Sequence, residues 1–114
     1  METVQMHGRV SLARLVESLA LVDPDACTGR LAWLFDFSDA DLDLTNNEIV
    51  QLALTVAEYR KASTCRDIPC KVAMIVQGDT NYGIGRMIQA YASMGDVTVH
   101  VTRCANDAHS FLAA

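Results

Sequence analysis

Positive charge is scarce in this sequence. Its 114 residues include 9 Lys and Arg against 14 Asp and Glu, so the formal net charge is −5 at pH 7. Nucleic-acid phosphates and anionic lipid surfaces are bound through clusters of basic side chains. We therefore expect neither DNA or RNA nor an anionic membrane surface as the main partner.

A long apolar run is also missing. No stretch approaches the ~20 apolar residues that a bilayer-spanning helix needs. The first ten residues, METVQMHGRV, lack the basic region and apolar core of a signal peptide. Hydrophobic residues still make up 51% of the chain, enough for a buried core. We expect a single domain over residues 1–114, with no membrane span and a cytoplasmic location.

Metal-binding and catalytic motifs are absent from the sequence. Cys65 and Cys70 are spaced too widely for the CxxC pair of a zinc or thioredoxin-like site. The histidines are scattered and cannot be assigned to a nucleophile: His7, His100 and His109. We expect the cysteines to be reduced, a Cys65–Cys70 disulfide being the minor alternative: Cys27, Cys65, Cys70 and Cys104. We expect no metal, no cofactor and no enzymatic activity.

Glycines are concentrated in GDTNYGIGRM, residues 78–87, after an apolar run. A P-loop needs a lysine and a hydroxyl residue after its second glycine, but Ile84 and Gly85 occupy those places. The dinucleotide pattern GxGxxG also fails, because Ile88 stands where the third glycine is required. The stretch therefore does not predict a nucleotide site.

The same stretch is the expected start of a helix. We interpret Gly83 and Gly85 as positions where the helix approaches a neighbouring backbone, since glycine otherwise costs a helix ~1 kcal/mol. Asp79 or Thr80 is expected to cap the helix. A weak anion site at this N-terminus, with Arg86 adding a charge, is the alternative, although Asp79 would repel an anion.

The stretch DFSDADLD, residues 36–43, is acidic. Three of its aspartates are spaced like calcium ligands of an EF-hand, but a leucine replaces the required glycine and a valine the closing glutamate. Ser38 stands where a phosphatase-type motif has an acid. We expect a solvated acidic loop. Asp36 differs, because we place it at the carboxyl end of a strand, where α/β sheets bind ligands.

Period-2 and apolar patterns predict four strands, at residues 3–8, 30–37, 71–77 and 97–103. A helical stripe follows each strand: Leu12, Leu15, Val16 and Leu19; Ile49, Leu52, Ala53 and Val56; Ile84, Met87, Ile88 and Tyr91; and Ala108, Phe111 and Leu112. The order βαβαβαβα predicts an α/β fold with a four-stranded, mainly parallel sheet. The middle two strands are apolar on both faces and should be interior; the outer two should be edges.

Several residues mark the expected element ends. Thr45 and Glu48 form a capping box at the start of the second helix, and Arg60, near its end, is expected largely outside. Asp23-Pro24 should end the first helix, and Gly29 should turn the chain.

Three motifs from Arg30 onward resemble the SpoIIAA-like branch of the STAS superfamily. They are an apolar strand with an aspartate, WLFDFSDADL; the strand KVAMIV followed by YGIGRM; and the closing segment NDAHSFL. The resemblance covers roughly the last three-quarters of the chain and includes no catalytic motif. It implies a βα superhelix of four turns with its strands in sequential order.

The resemblance also implies a class of function. Well-understood members are anti-sigma-factor antagonists and transporter-tail domains, which act by binding proteins, and the same fold occurs in lipid-exchange domains with an apolar cavity. Antagonists carry a D-S-S-G motif with a phosphorylated serine. Here the corresponding residues 44–47 read LTNN, and Thr45 is the only hydroxyl among them. The phosphorylation switch is therefore not expected to carry over.

Two functional hypotheses follow. The first is a non-enzymatic STAS-like module that binds a protein partner or forms a homodimer, which would cover a second apolar face of the sheet. The second is a carrier of a small molecule or lipid, with a pocket at the carboxyl ends of the strands. The candidate ligand- or partner-binding residues are Asp36, Ser38, Thr45, Asp79, Tyr82 and Arg86. A hydrolase using Asp36 lacks a complete catalytic set.

Overall fold

The computed structural model describes residues 2–20, 31–62 and 67–114 and contains four strands alternating with four helices. In chain order these are β1 (Glu2–Val10), α1 (Leu12–Ala20), β2 (Leu31–Leu42), α2 (Asn46–Ala62), β3 (Cys70–Val76), α3 (Asp79–Ala92), a 3-10 turn (Ser93–Gly95), β4 (Val97–Thr102) and α4 (Ala105–Ala113). The predicted features at Asp23-Pro24, Cys27, Gly29 and Cys65 lie outside the described residues.

The four strands are parallel and lie in the order β1-β2-β3-β4. This confirms the predicted βαβαβαβα order, with β2 and β3 inside the sheet and β1 and β4 at its edges. The two-sided apolar patterns of the middle strands predicted this correctly, because a strand with helices on both faces has no solvent side.

Helices α1, α2 and α3 cover one face of the sheet, which we call the three-helix face. Alternate residues of β2 point into this face, including Phe35 and Phe37, and pack with Met74 of β3 and Val99 of β4. The strand period of two places every second side chain on this side, so a single large core forms here. Leu52 of α2 is among the helix residues buried in that core.

Helix α4 covers the opposite face, which we call the α4 face. Leu34, Ala73 and Ile75 of the sheet pack there against Ala108 and Leu112. Further along the same face the edge strand β1 is polar, with exposed residues that include Thr3, Gln5, His7 and Arg9. The apolar part of the second face is therefore covered by the chain itself, which removes the reason for expecting a homodimer there.

Strand β2 continues past its predicted end at residue 37 as far as Leu42. The acidic segment predicted as a loop is therefore strand, and Asp36 lies in mid-strand rather than at the carboxyl end. The predicted strand end is wrong because β2 contains a β-bulge. Gln5 pairs with Asp36 but His7 pairs with Asp39, so β2 carries one extra residue. The bulge breaks the period of two that sequence reasoning follows.

Asn81 of α3 completes the hydrogen bonding of this extension. Beyond Phe37 the described part of β3 no longer pairs with β2. The buried Asn81 side chain accepts a hydrogen bond from Leu42 N at 3.0 Å and donates one to Ala40 O at 2.8 Å. Its amide thus replaces the backbone of a neighbouring strand, a role that sequence analysis missed.

The start of α3 differs from the prediction. Gly78 is the N-cap residue with φ 84°, a left-handed conformation that suits glycine, and no side-chain hydrogen bond caps the helix. The predicted capping by Asp79 or Thr80 is therefore wrong. Asp79 instead pairs with Arg103, the residue that follows β4. By contrast, the predicted capping box of α2 is confirmed, with Thr45 and Glu48 exchanging hydrogen bonds of 2.9 and 3.2 Å.

The two glycines inside α3 have different surroundings. A Cβ placed at Gly85 would lie 2.8 Å from Val101 Cγ1 of β4, so glycine is required by close approach of the helix to the sheet. A Cβ at Gly83 would have no atom within 4 Å. The prediction of close approach is therefore confirmed for Gly85, although its neighbour is the side chain of Val101 rather than a backbone. The prediction is wrong for Gly83.

These surroundings predict that alanine substitutions at Gly83 and Gly85 have opposite effects on stability. Gly83→Ala should raise the free energy of unfolding by up to about 1 kcal/mol, because alanine favours the helix and meets nothing. Gly85→Ala should lower it by about 1–3 kcal/mol, because the β-branched Val101 cannot move aside in a packed core. Urea denaturation measures both values, and equal effects of the two substitutions would contradict this packing.

Asn81→Leu should lower the free energy of unfolding by about 2–4 kcal/mol, because it leaves Leu42 N–H and Ala40 C=O buried without partners. Asn47→Leu, at an exposed position of α2, is the matched control and should change stability by less than about 0.5 kcal/mol. Urea denaturation distinguishes the two variants. A loss for Asn81→Leu no larger than that of the control would refute the proposed role of the amide.

Candidate functional site

The six predicted site residues form separate arrangements rather than one pocket. Asp36 and Ser38 are a local pair on the α4 face: Asp36 Oδ1 accepts hydrogen bonds from Ser38 N at 2.9 Å and from Ser38 Oγ at 2.5 Å. Both residues are half-buried. The carboxylate is therefore bonded within its own strand at the bulge, and its use in binding stays a prediction.

Thr45 is engaged at the start of α2. Its hydroxyl accepts the Glu48 backbone N–H in the capping box, and the residue is exposed. Arg86 of α3 is exposed. Neither residue lies with Asp36 in a common cleft that the structure defines, so the use of these residues in binding stays a prediction.

Asp79 and Tyr82 are brought together by Arg103, which follows β4. Arg103 Nη2 donates to Asp79 Oδ1 at 2.8 Å, and its guanidinium lies 4.8 Å from the centre of the Tyr82 ring. Gln77 Nε2 donates to the backbone oxygen of Arg103 at 3.3 Å. Sequence analysis missed Arg103, since only the parallel pairing of β3 with β4 places it beside α3. Asp79 and Arg103 are exposed, and their opposite charges balance each other.

A cavity of about 180 Å³ lies between the three-helix face of the sheet and the helices. Its sheet wall includes Trp33, Phe35, Val72 and Val99, and its helix walls include Leu15, Ile49, Leu52, Ala53, Val56, Ile88 and Ala92. None of the six predicted site residues lines it. Two of the helix residues in this wall, Ala53 and Ala92, are small.

Ser18, Tyr59 and Arg60 carry polar groups and are among the residues that line the cavity, as is Cys70 with its thiol. The Ser18 hydroxyl donates to Leu15 O at 2.6 Å. Tyr59 is 39% exposed although it lines the cavity, so this part of the wall reaches the protein surface.

Arg60 is held at the wall of the cavity by a backbone oxygen and by Cys70. Its Nη2 donates to Ile68 O at 2.8 Å. Burial raises the pKa of the Cys70 thiol, and the charge and hydrogen bond of Arg60 partly oppose this rise. Cys70 is a free thiol, and so is the exposed Cys104. Arg60 was predicted largely outside, but it is half-buried, because the end of α2 lies against the start of β3.

A second polar cluster lies between β4 and α4. His100 Nε2 is 2.7 Å from Asp107 Oδ2, and hydrogen bonds from His100 and Thr102 hold the pKa of Asp107 below its ordinary value. The His100 ring stacks on Phe111, with centroids 4.9 Å apart. These contacts attach α4 to the edge strand. Within the described residues there is no group of three or more His, Cys, Asp or Glu side chains arranged to hold a metal ion.

Comparison with known proteins assigns the fold. No family model matches the chain, and no curated protein matches it. A solved structure from Shewanella loihica PV-4, an uncharacterized protein of the DUF3478 family with a SpoIIAA-like fold, is similar with a TM-score of 0.54. The two are 18% identical, and the match covers 96% of this chain and 82% of that one.

The chain therefore has the SpoIIAA-like fold that its motifs predicted. At this level of identity the likeness establishes the fold and leaves function to be argued from the residues. None of the helices within residues 2–20, 31–62 and 67–114 is both long and apolar enough to cross a membrane.

Proposed function

We propose that the protein is a non-enzymatic binding module whose ligand is a small apolar molecule held in the cavity beneath the three-helix face. The observation that carries the proposal is the volume of about 180 Å³ lined by almost wholly apolar side chains. An engineered apolar cavity of ~150 Å³ stays dry and binds benzene. A ligand of similar size would fit this one.

The energetic cost of such a space supports the proposal. Protein interiors are close-packed, and residual volume costs about 24 cal/mol per Å³. The wall reaches the surface at Tyr59, so only part of this cost applies to the space of about 180 Å³. A bound apolar ligand offsets this cost by restoring the missing contacts. Because Tyr59 lines the cavity and is 39% exposed, we expect a ligand to enter beside it.

The alternative, a module acting through protein contacts, has no surface in its favour within the described residues. The apolar α4 face is covered by α4, and the phosphorylatable serines of the antagonists are missing at residues 44–47. Leu54 is 56% exposed on α2, but single exposed leucines are ordinary on protein surfaces. A protein partner stays a prediction.

Titration with straight-chain alcohols from pentanol to octanol, followed by protein NMR, tests the proposal. Affinity should rise about fourfold for each added carbon, since burying one CH₂ is worth ~0.8 kcal/mol, and should level off once the cavity is filled. Chemical shifts should change at cavity residues such as Val72 and Ile88. Absence of saturable binding for every alcohol would overturn the proposal.

Ala53→Phe should weaken alcohol binding at least tenfold without unfolding the protein, because Ala53 lines the cavity and the larger ring would occupy it. Leu54→Phe is the matched control, because it adds a ring to the exposed face of the same helix. Thermal denaturation of both variants checks the fold. Equal weakening of binding in the two variants would place the alcohol outside the cavity.

A further inference from the structure

Aromatic side chains are concentrated at the cavity. The chain has one Trp, three Tyr and three Phe, and four of these seven residues line the cavity: Trp33, Phe35, Phe37 and Tyr59. The first three occupy alternate positions of β2 and therefore lie on the same face of the sheet. A single strand thus gives the sheet wall of the cavity an aromatic surface.

Two of these four rings keep surface that a ligand can contact. Phe35 and Phe37 stack on each other and are only 8% and 1% exposed. Trp33 is half-buried although it lies on the face that the helices cover, and Tyr59 of α2 is 39% exposed. The accessible aromatic surface of the cavity therefore belongs mainly to Trp33 and Tyr59.

The strand beside β2 continues this surface. Val72 pairs with Trp33, lines the cavity and is also half-buried. Met74 pairs with Phe35 and brings a thioether to the same wall. Aromatic rings and methionine sulfur both make favourable contacts with a further aromatic ring beyond the gain from burying apolar area. The sheet wall therefore favours a ring over a saturated body of the same size.

Polar groups of the wall hold contacts within the protein. The Ser18 hydroxyl donates to Leu15 O, and the Arg60 guanidinium bonds Ile68 O and the thiol of Cys70. A charged or strongly polar ligand body would have to compete with these contacts or lie against apolar side chains without partners. These contacts favour a neutral ligand.

We propose, resting on the proposed function, that the natural ligand is a small neutral aromatic molecule whose ring lies against Trp33 and Tyr59. The space of about 180 Å³ is slightly larger than the ~150 Å³ cavity that accepts benzene, so a single ring with a short substituent fits. The substituent lies towards Tyr59, where the wall reaches the surface.

Two probes with one carbon skeleton test the inference: benzyl alcohol and cyclohexylmethanol, titrated by NMR under the same conditions. Cyclohexylmethanol is the more apolar of the two, so a cavity that responds to apolar area alone would bind it more tightly. We expect benzyl alcohol to bind about threefold tighter, because contacts between aromatic rings add to the burial of area.

Trp33 also reports contact directly, since it is the single tryptophan of the chain. An aromatic ring shifts the NMR signals of protons held above or beside it, and a saturated ring does not have this effect. The ring protons of Trp33 should therefore shift more with benzyl alcohol than with cyclohexylmethanol at equal saturation.

Variants assign the preference to the residue. Trp33→Leu replaces the ring by an apolar side chain and should make cyclohexylmethanol the tighter ligand. Phe111→Leu is the matched control, because Phe111 is another half-buried aromatic residue but stacks on His100 and does not line the cavity. It should keep the preference for benzyl alcohol.

The outcomes separate the two proposals. If cyclohexylmethanol binds wild-type protein as tightly as benzyl alcohol or more tightly, the aromatic inference is wrong and the apolar-ligand function stands. If neither probe binds, both proposals fail. If Trp33→Leu does not fold, the wild-type pair, the Trp33 shifts and Tyr59→Leu, which should reduce the preference, still decide. A full preference for benzyl alcohol in a folded Trp33→Leu variant would also overturn the inference.

Discussion

The large side chains that β2 presents to the three-helix face constrain most of this structure. Trp33, Phe35 and Phe37 lie on that side in alternation, and the rings of the two phenylalanines stack with centroids 5.9 Å apart. Helices that cover such a row cannot approach the sheet uniformly, because the helix residues opposite differ in size. Where Gly85 faces Val101, helix and sheet meet closely; where Ala53 and Ala92 line the wall, space remains.

The same strand organises the rest of the chain. Its bulge after Asp36 resets the alternation, so that Ala40 and Leu42 join the core on the three-helix side. The extension that results needs a hydrogen-bonding partner beyond the end of β3, and Asn81 supplies it. Asn81, in the glycine-rich start of α3, therefore attaches the helix to β2.

Much of the fold could be predicted because it depends on local patterns. Apolar runs on both faces marked β2 and β3 as interior, and the capping box at Thr45 marked the start of α2. The bulge could not be predicted, because an extra residue in a strand is detected only through its pairing with β1.

The cavity that we propose as the binding site was not predicted from the sequence. Reasoning from sequence favours polar residues near strand ends as candidate site residues. In the structure, Asp36 lies in mid-strand and Asp79 forms an ion pair with Arg103. No polar motif in the sequence indicates the cavity. It depends on the distance between elements that are far apart in sequence, and so does the placement of Arg60 beside Cys70.

The central claim is that an accessible apolar cavity lies between the sheet and α2. A crystal structure determined under xenon pressure tests it most directly, because xenon binds in dry apolar cavities of this size. The account predicts xenon between the strands that carry Phe35 and Val72 and the helix residues Ile49 and Ile88. A structure in which side chains of the protein fill this space, with no xenon there, would contradict the account.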